Sequence, residues 1–198
     1  MLSDMHASRR SFTGNTRLVF AQSGLPEKSE FFFNVFTLLS PFCTPEMVPH
    51  IKTWVDARNL ATYTSINFAT MQLPCFNAIH SLFYTVKGAK PNGQPNYVKI
   101  VPTNIIELLT PISLAYWIMG DGSKQNQGIH LSVYGFSMTE CDLLIQALTQ
   151  KFGLNCTIHN TKSGPRIYID AASTLIVRDL VRPYMVRPQL IGAYKIGL

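Results

Sequence analysis

One pattern occurs twice in this chain, and that repeat limits the possible folds more than any other feature. Ser3-Asp4-Met5-His6 resembles Gly120-Asp121-Gly122-Ser123, and Phe42-Cys43-Thr44 resembles Asn155-Cys156-Thr157. The offset between the copies changes from 117 to 113 residues, which predicts a four-residue length difference in the loop after the aspartate. We therefore expect two similar units related by a pseudo-twofold axis, residues 1–96, with a linker at 87–96, and residues 97–198.

Hydrophobic periodicity predicts the same order of elements in both copies. A polar loop follows each aspartate, and then come an alternating strand, a helix, two more strands and a closing helix. In the first copy these elements are predicted at 16–22, 26–39, 49–54, 63–70 and 73–84. In the second copy they are predicted at 129–134, 138–152, 156–160, 166–170 and 173–181, with Ser137 and Glu140 at capping-box spacing and Gly153 as the stop. The pattern indicates an α+β fold with antiparallel sheets.

Composition excludes several classes of protein. Apolar residues make up 46% and charged residues 14% of the chain, which argues against disorder and against a coiled coil. Seventeen Lys and Arg against eleven Asp and Glu leave a net charge of +6, which favours an acidic partner such as nucleic acid, although a basic surface kept for solubility is an equal alternative. The apolar run at 105–120 contains Glu107 and Pro111 and is shorter than the about 20 residues of a membrane helix, so no membrane partner is expected.

The cysteines carry no metal-binding or disulfide signature. Their spacing includes no C-x-x-C pair and no zinc-finger arrangement with histidine, which predicts buried thiols in a reducing compartment. They are Cys43, Cys75, Cys141 and Cys156.

The aspartate of the second copy lies at the end of a predicted helix. Thr110 can cap this helix, and Pro111 suits its first position. Leu114, Ile118 and Asp121 share one face, so the carboxylate emerges at the C-terminal end, where it is unfavourable unless a cation compensates. Asp4 would bring a second carboxylate. Two such oxygen donors predict a divalent metal site suited to Mg²⁺.

The run Leu114-Ala115-Tyr116-Trp117-Ile118-Met119-Gly120-Asp121-Gly122 resembles the LAGLIDADG motif, sharing its first Leu and Ala, the Ile and the final Asp-Gly. With Leu108-Leu109-Thr110-Pro111 before it and Ser123-Lys124 after it, the segment is similar to the second motif of the single-chain LAGLIDADG homing endonucleases and maturases of organellar introns. The resemblance implies two pseudo-symmetric αββαββα repeats whose antiparallel sheets form a DNA-binding saddle. It also implies a monomer and a mitochondrial, organellar location.

The chain departs from the family pattern at three points. Tyr116 stands where the motif has a glycine, and Met5 replaces the terminal glycine of the first motif. The first motif begins at its fifth position with Met1, so the first helix is expected to lack its N-terminal turns. Either the reading frame continues upstream or the chain is a nuclease decayed past activity.

The resemblance also assigns catalytic residues. Asp4 and Asp121 are expected to be the metal ligands, with a metal-bound water as the nucleophile. Lys99 and Arg187 follow the last helix of each copy, where the family keeps a basic residue near the scissile phosphates. From the residues themselves, His6 and His159 could act as general bases, but a polar histidine in a loop or strand more often makes a solvent or backbone contact.

The resemblance implies that alternate strand residues read the DNA major groove, since a two-stranded ribbon fits that groove. These are Arg17, Val19, Tyr63, Ser65 and Asn67 in the first copy and His130, Ser132, Tyr134, Arg166 and Tyr168 in the second. Phosphate contacts are expected from Arg9, Arg10, Lys52, Arg58, Lys124 and Lys162. A sheet that simply faces water is the alternative from the residues alone.

The function predicted on these grounds is site-specific cleavage of both strands of double-stranded DNA by Mg²⁺-assisted hydrolysis. The alternatives are an intron RNA maturase, which binds its host intron RNA, and an inactive DNA-binding remnant.

Overall fold

The computed structural model describes residues 1–186 and 193–196, with the side chains of Glu27, Ala193 and Tyr194 excepted. The chain forms two compact units, Ser3–Val98 and Lys99–Leu198. This division lies two residues from the boundary predicted at 96/97. Each unit is described by itself.

Unit 1 is built on a four-stranded antiparallel sheet in the order β1-β2-β4-β3. Its strands are β1 Met5–Ser8, β2 Arg17–Ser23, β3 Lys52–Val55 and β4 Thr62–Ala69. Helix α1 covers Pro26–Leu39, and helix α2 covers Asn77–Phe83. A separate hairpin, β5 Tyr84–Ala89 and β6 Pro95–Lys99, completes the unit.

The core of unit 1 is aromatic, as the alternation in its strands predicts. Phe20 and Phe68 lie on the covered face of the sheet and are 3% and 1% exposed. Phe32 of α1 stacks on Phe20 with ring centroids 5.7 Å apart and meets Phe68 edge-on at 5.6 Å. Because these rings pack against one another, they hold α1 against this face of the sheet. The opposite face is not covered by α1.

Unit 2 repeats this topology with the sheet order β7-β8-β10-β9. Its strands are β7 Gly122–Gln125, β8 Gly128–Ser132, β9 Cys156–Thr161 and β10 Gly164–Ile169. Its helices are α3 Ile105–Leu108, α4 Pro111–Asp121, α5 Met138–Phe152, α6 Ala171–Val181 and α7 Ala193–Ile196. The predicted α+β fold with antiparallel sheets and two sheet-helix repeats is confirmed.

The capping residues predicted for helix α5 are present in the structure. The Ser137 hydroxyl accepts from the Glu140 amide, and the Glu140 carboxylate accepts from the Ser137 amide at 2.7 Å. Gly153 ends α5 in the left-handed conformation with φ 68°. Asp170 caps α6 through the Ser173 amide at 2.8 Å, and this hydrogen bond lowers the pKa of the Asp170 carboxyl. The helix therefore begins at Ala171.

Several expectations about connections were wrong. The loops predicted after each aspartate contain the edge strands β1 and β7, which four residues of sequence are too few to reveal as strands. The first hairpin is six residues longer than the second, because Met5 pairs with Phe20, fifteen residues on, whereas Gly122 pairs with Leu131, nine residues on. The predicted linker at 87–96 lies within the β5–β6 hairpin, where Gly93 turns with φ 76°.

The cysteine prediction holds only in part. All four cysteines are free, Cys43 and Cys141 are buried and Cys156 is half-buried, but Cys75 is exposed. Burial, followed by the charge of Asp170, raises the pKa of Cys156 to about 12. Among the described residues, none of the helices has the length and apolarity needed to cross a membrane.

Candidate functional site

Helix α4 presents Asp121 at its C-terminal end. The Thr110 hydroxyl accepts from the Ser113 amide at 3.2 Å and the Ser113 hydroxyl accepts from the Thr110 amide at 2.7 Å, so the helix start is fixed by a reciprocal cap. Leu114 and Ile118 are fully buried, and Asp121, the last helical residue, is half-buried. The shared face predicted for these positions is present, and it leaves the carboxylate at the base of a packed helix.

The glycine after Asp121 is required by a close backbone approach. A Cβ on Gly122 would lie 2.5 Å from the Ile118 carbonyl oxygen, to which the Gly122 amide donates its own hydrogen bond. In the sheet of unit 1, called sheet 1 as the sheet of unit 2 is called sheet 2, the corresponding position is Met5. No helical turn precedes Met5, and its side chain packs against the small buried cluster around Ala7. The final Asp-Gly pair is therefore a local requirement of the helix-to-strand turn.

Lys195 caps the same helix end, and sequence reasoning missed it. Its ammonium donates to the carbonyl oxygens of Ile118 at 3.3 Å, Met119 at 2.6 Å and Gly120 at 3.2 Å. The Met119 and Gly120 carbonyls belong to the last turn, whose carbonyls a helix leaves without internal partners and which carries its negative partial charge, whereas the Ile118 carbonyl also accepts from the Gly122 amide. The interaction places a positive charge next to the turn that holds Asp121. No local pattern in the sequence connects Lys195 with residues more than seventy positions earlier.

Asp4 has a different setting. Residues 1–4 are not helical, and Asp4 is an exposed residue directly before β1. Its carboxylate accepts a hydrogen bond from the Gln22 side-chain amide at 3.1 Å. Gln22 is only 9% exposed on the helix-covered side of β2, and its Oε1 has no hydrogen-bond partner among the described residues. This positioning contact was also missed, although a glutamine among inward Leu18 and Phe20 was a visible signal.

The side-chain chemistry of Asp4 and Asp121 suits a divalent cation. Carboxylate oxygens suit Mg²⁺, and Asp4 is accessible. Within the described ranges there is no group of three or more His, Cys, Asp or Glu side chains able to hold a metal ion. Asp4 and Asp121 belong to different units, so a shared site remains a prediction that needs one carboxylate from each.

We define the polar face of sheet 1 as the side opposite Phe20. It carries the predicted residues Arg17, Val19, Tyr63, Ser65 and Asn67. Ser65 pairs with Lys52, and Tyr63 pairs with Trp54, so β3 adds a cation and an indole to the same side. All four residues of β3 are exposed.

The polar face of sheet 2, opposite Leu131, is more closed. His130 lies on this side as predicted, but it is only 5% exposed because Tyr168 and His159 cover it. Its Nε2 is 2.9 Å from Nδ1 of His159, and His159 stacks on Tyr168 at 4.5 Å. Burial, followed by the charges of His159 and Arg166, lowers the pKa of His130. A freely accessible groove-reading role for His130 is therefore not supported.

Arg166 and Tyr134, also predicted for this face, contact each other. The Arg166 guanidinium donates from Nε to the Tyr134 hydroxyl at 2.6 Å and lies over its ring at 5.5 Å. Ser132 is half-buried beside Arg166 in the strand register.

The basic residues predicted to touch phosphates have different settings. Arg10, Lys52 and Lys162 are exposed. Arg9 instead closes its own loop, donating to the Gly14 carbonyl at 2.7 Å and the Phe12 carbonyl at 2.6 Å. These placements leave phosphate contact by the exposed residues as a prediction.

Two further cations of this predicted set have other surroundings, and phosphate contact by them stays a prediction. Lys124 pairs with the inward Ile129, so it lies on the helix side of the edge strand and not on the polar face. Arg58 forms an exposed ion pair with Asp56 at 2.7 Å.

The structure describes one of the two basic residues predicted near the scissile phosphates. Lys99 is the half-buried last residue of β6. Arg187 lies outside the described residues.

The chain thus carries two sheet-and-helix units, the second with an aspartate at the end of a packed helix. The model of the LAGLIDADG DNA endonuclease family matches residues 1–176 of this chain. The chain therefore belongs to the LAGLIDADG DNA endonuclease family, and the resemblance noted in the sequence is confirmed.

Known proteins similar to the chain include maturases and endonucleases. A cytochrome b mRNA maturase bI2 of Debaryomyces hansenii is 28% identical over 199 residues, covering 100% of this chain and 70% of the relative. A probable intron-encoded endonuclease 1 of Wickerhamomyces canadensis is 37% identical over 99 residues, covering 46% of this chain and 43% of the relative. The chain spans only 45% of the maturase bI2 of Saccharomyces cerevisiae.

A solved structure shares the fold. The homing endonuclease I-WcaI, bound to its DNA recognition sequence, matches with a TM-score of 0.80 at 23% identity. The match covers 98% of this chain and 81% of that chain. At this identity the likeness establishes the fold.

Proposed function

We propose that this protein is a site-specific homing endonuclease that hydrolyses both strands of a double-stranded DNA target with a divalent cation such as Mg²⁺. The observation that carries the proposal is the family match over residues 1–176, which includes Asp121 at the C-terminal end of α4. An endonuclease among the relatives and the shared fold of I-WcaI support it.

Asp4 and Asp121 would hold the cation, one carboxylate from each unit. When bound, the cation supplies Lewis-acid stabilisation of the phosphate and lowers the pKa of an attacking water. The chain itself fixes the donors: the α4 caps and Gly122 set the position of Asp121, and the Gln22 amide orients the Asp4 carboxylate. Lys99 and Arg187 would contribute positive charge near the scissile phosphates.

The polar faces of the two sheets would contact the DNA. Side chains such as Arg17 and Asn67 offer hydrogen-bond groups to base edges, whereas Arg10 and Lys162 would bind phosphates. Since phosphate contacts release counterions, affinity should fall steeply as salt rises.

The decisive test is Asp121→Asn assayed on intronless insertion-site DNA with Mg²⁺. We expect the cleavage rate to fall at least about 100-fold, since even the loss of a group that only hydrogen-bonds to a metal ligand lowers metal affinity or activity about 10–100-fold. DNA binding should persist, because the exchange leaves α4 and the sheets unchanged. Cleavage and gel-shift measurements on the same preparations separate the two effects.

The matched control is Asp142→Asn, which removes an exposed carboxylate from α5. This variant should cleave at the wild-type rate. Wild-type cleavage by Asp121→Asn would disprove the metal-ligand assignment, whereas loss of cleavage in both variants would point to a general charge effect.

A maturase role is the second candidate, favoured by the Debaryomyces hansenii relative that covers the whole chain. In that case the protein would bind its host intron RNA and promote splicing, in the mitochondrion as a monomer. Intron-RNA affinity that survives loss of both Asp4 and Asp121 would support this role.

A further inference from the structure

The hairpin formed by β3 and β4 displays apolar and aromatic side chains to solvent. Trp54 is 48% exposed and Tyr63 is 42% exposed, and their rings stack with centroids 6.0 Å apart at an angle of 27°. Leu60, in the turn, is 79% exposed. Large exposed apolar groups clustered in this way mark an interaction surface.

The hairpin is ordered by its own polar contacts. The Asp56 carboxylate receives two hydrogen bonds from the Arg58 guanidinium, at 3.0 and 2.7 Å. The Asn59 side-chain amide donates to the Tyr63 hydroxyl at 3.0 Å. The turn also holds Leu60 at φ 56°, a backbone conformation that leucine rarely adopts. The aromatic pair is thus presented by a pre-organised turn.

A cation lies beside the aromatic pair. Lys52 is two residues before Trp54 in β3, so both side chains project from the same side of the strand, about 7 Å apart along it. Lys52 is exposed, and its register partner is the neutral Ser65. An aromatic face next to a lysine at this spacing suits a base joined to a phosphate.

Duplex DNA does not use such a face well. In a duplex the base faces are stacked on one another, and only the base edges and the phosphates are accessible. Unpaired bases, which occur chiefly in RNA loops and single strands, stack on exposed aromatic side chains. We propose that Trp54, supported by Tyr63 and Lys52, forms a binding site for an unpaired base of single-stranded RNA. The site lies on the polar face of sheet 1, which the proposed function assigns to DNA contact, but it does not require Asp4 or Asp121.

Intrinsic fluorescence can report on this site directly. The chain has two tryptophans, and Trp117 is 2% exposed, so a ligand that reaches the surface quenches Trp54. We expect quenching of the wild-type protein by an oligouridylate of about twelve nucleotides, within the usual range of single-strand site sizes. No quenching by this probe would overturn the proposal while leaving the endonuclease test on Asp121 unaffected.

Substitutions separate stacking from general apolar contact. By anisotropy of a labelled oligouridylate, Trp54→Leu should weaken binding about tenfold, because it keeps an apolar side chain but removes the aromatic face. Trp54→Phe should retain most of the affinity, and the matched control Leu175→Ala, which truncates an exposed apolar residue of α6 in unit 2, should bind like wild type.

Competitor nucleic acids test the class of ligand. Unlabelled single-stranded RNA should displace the probe from the wild-type protein more effectively than a duplex of equal length. Equal binding by Trp54→Leu and wild type, or an equally strong Trp54-dependent competition by duplex, would overturn the assignment to unpaired bases.

Discussion

Asp121 and Asp4 precede matching edge strands in the two units, but their supports differ. Asp121 ends a helix that is capped at its start by Thr110 and at its end by Lys195. Asp4 lies in a non-helical segment and is held by one side-chain contact from Gln22. Equivalent sheet positions thus do not guarantee equivalent rigidity, since rigidity depends on what packs before the strand.

The polar faces differ in the same sense, and unit 2 is again the more ordered unit. On sheet 2, His130 and Arg166 are engaged with neighbouring rings. On sheet 1, every residue of β3 is exposed, including Trp54. The same strand order therefore presents one face whose groups satisfy each other and one whose groups are available. A pre-ordered face loses less side-chain entropy on binding, whereas an open face can accept more varied ligands.

The largest expected effect on stability comes from filling the close approach beneath α4. Gly122→Ala places a Cβ 2.5 Å from the Ile118 carbonyl oxygen, so the turn must move. We expect the free energy of unfolding to fall by about 2–3 kcal/mol, which denaturant titration would measure.

Gly135→Ala is the control for this change. A Cβ there meets nothing within 4 Å, so its effect should stay within about 0.5 kcal/mol. Equal stabilities of the two variants would show that the helix-to-strand turn tolerates a side chain at position 122.

A smaller effect is expected from removing the charge at the helix end. Lys195→Met deletes the donor to three carbonyls and should destabilise the last turn of α4 by about 1–2 kcal/mol. Hydrogen exchange of the amides in that turn would report the loss. Lys195→Arg keeps the positive charge and should restore much of the protection, whereas unchanged exchange in Lys195→Met would refute the capping role.

The smallest effect concerns pH. Burial lowers the pKa of His130 below the usual value of about 6.5, so the unfolded chain binds a proton that the folded unit resists. The stability from this group is fully present above about pH 6.5 and is lost as pH falls towards the lowered pKa. His130→Gln should flatten this part of the stability profile measured by denaturation at several pH values.

His80 of unit 1 provides the comparison, since burial also lowers its pKa. His80→Gln should leave the His130 contribution in place. An NMR titration in which the His130 imidazole protonates at or above its usual pKa would contradict the burial argument.

Much of the fold followed from local patterns. The repeat, the α1 and α5 helices and the strands β2 and β8 could be predicted because their apolar periodicity and caps lie within short windows of sequence. The edge strands β1 and β7 could not, since four residues show little periodicity and their pairing depends on β2 and β8. The sequence predicts a linker where the β5–β6 hairpin lies, because turn residues dominate the composition of this segment.

The candidate site likewise has features that the sequence predicts and contacts that it does not. The sequence alone identified Asp121, its helix and the outward strand residues, because each is encoded by spacing within one element. Contacts between elements distant in sequence were decided only by tertiary structure: Lys195 on the α4 carbonyls, Gln22 on Asp4 and His159 over His130. The physical reason is that side-chain hydrogen bonds and burial depend on which surfaces meet in space, and no local periodicity records that meeting.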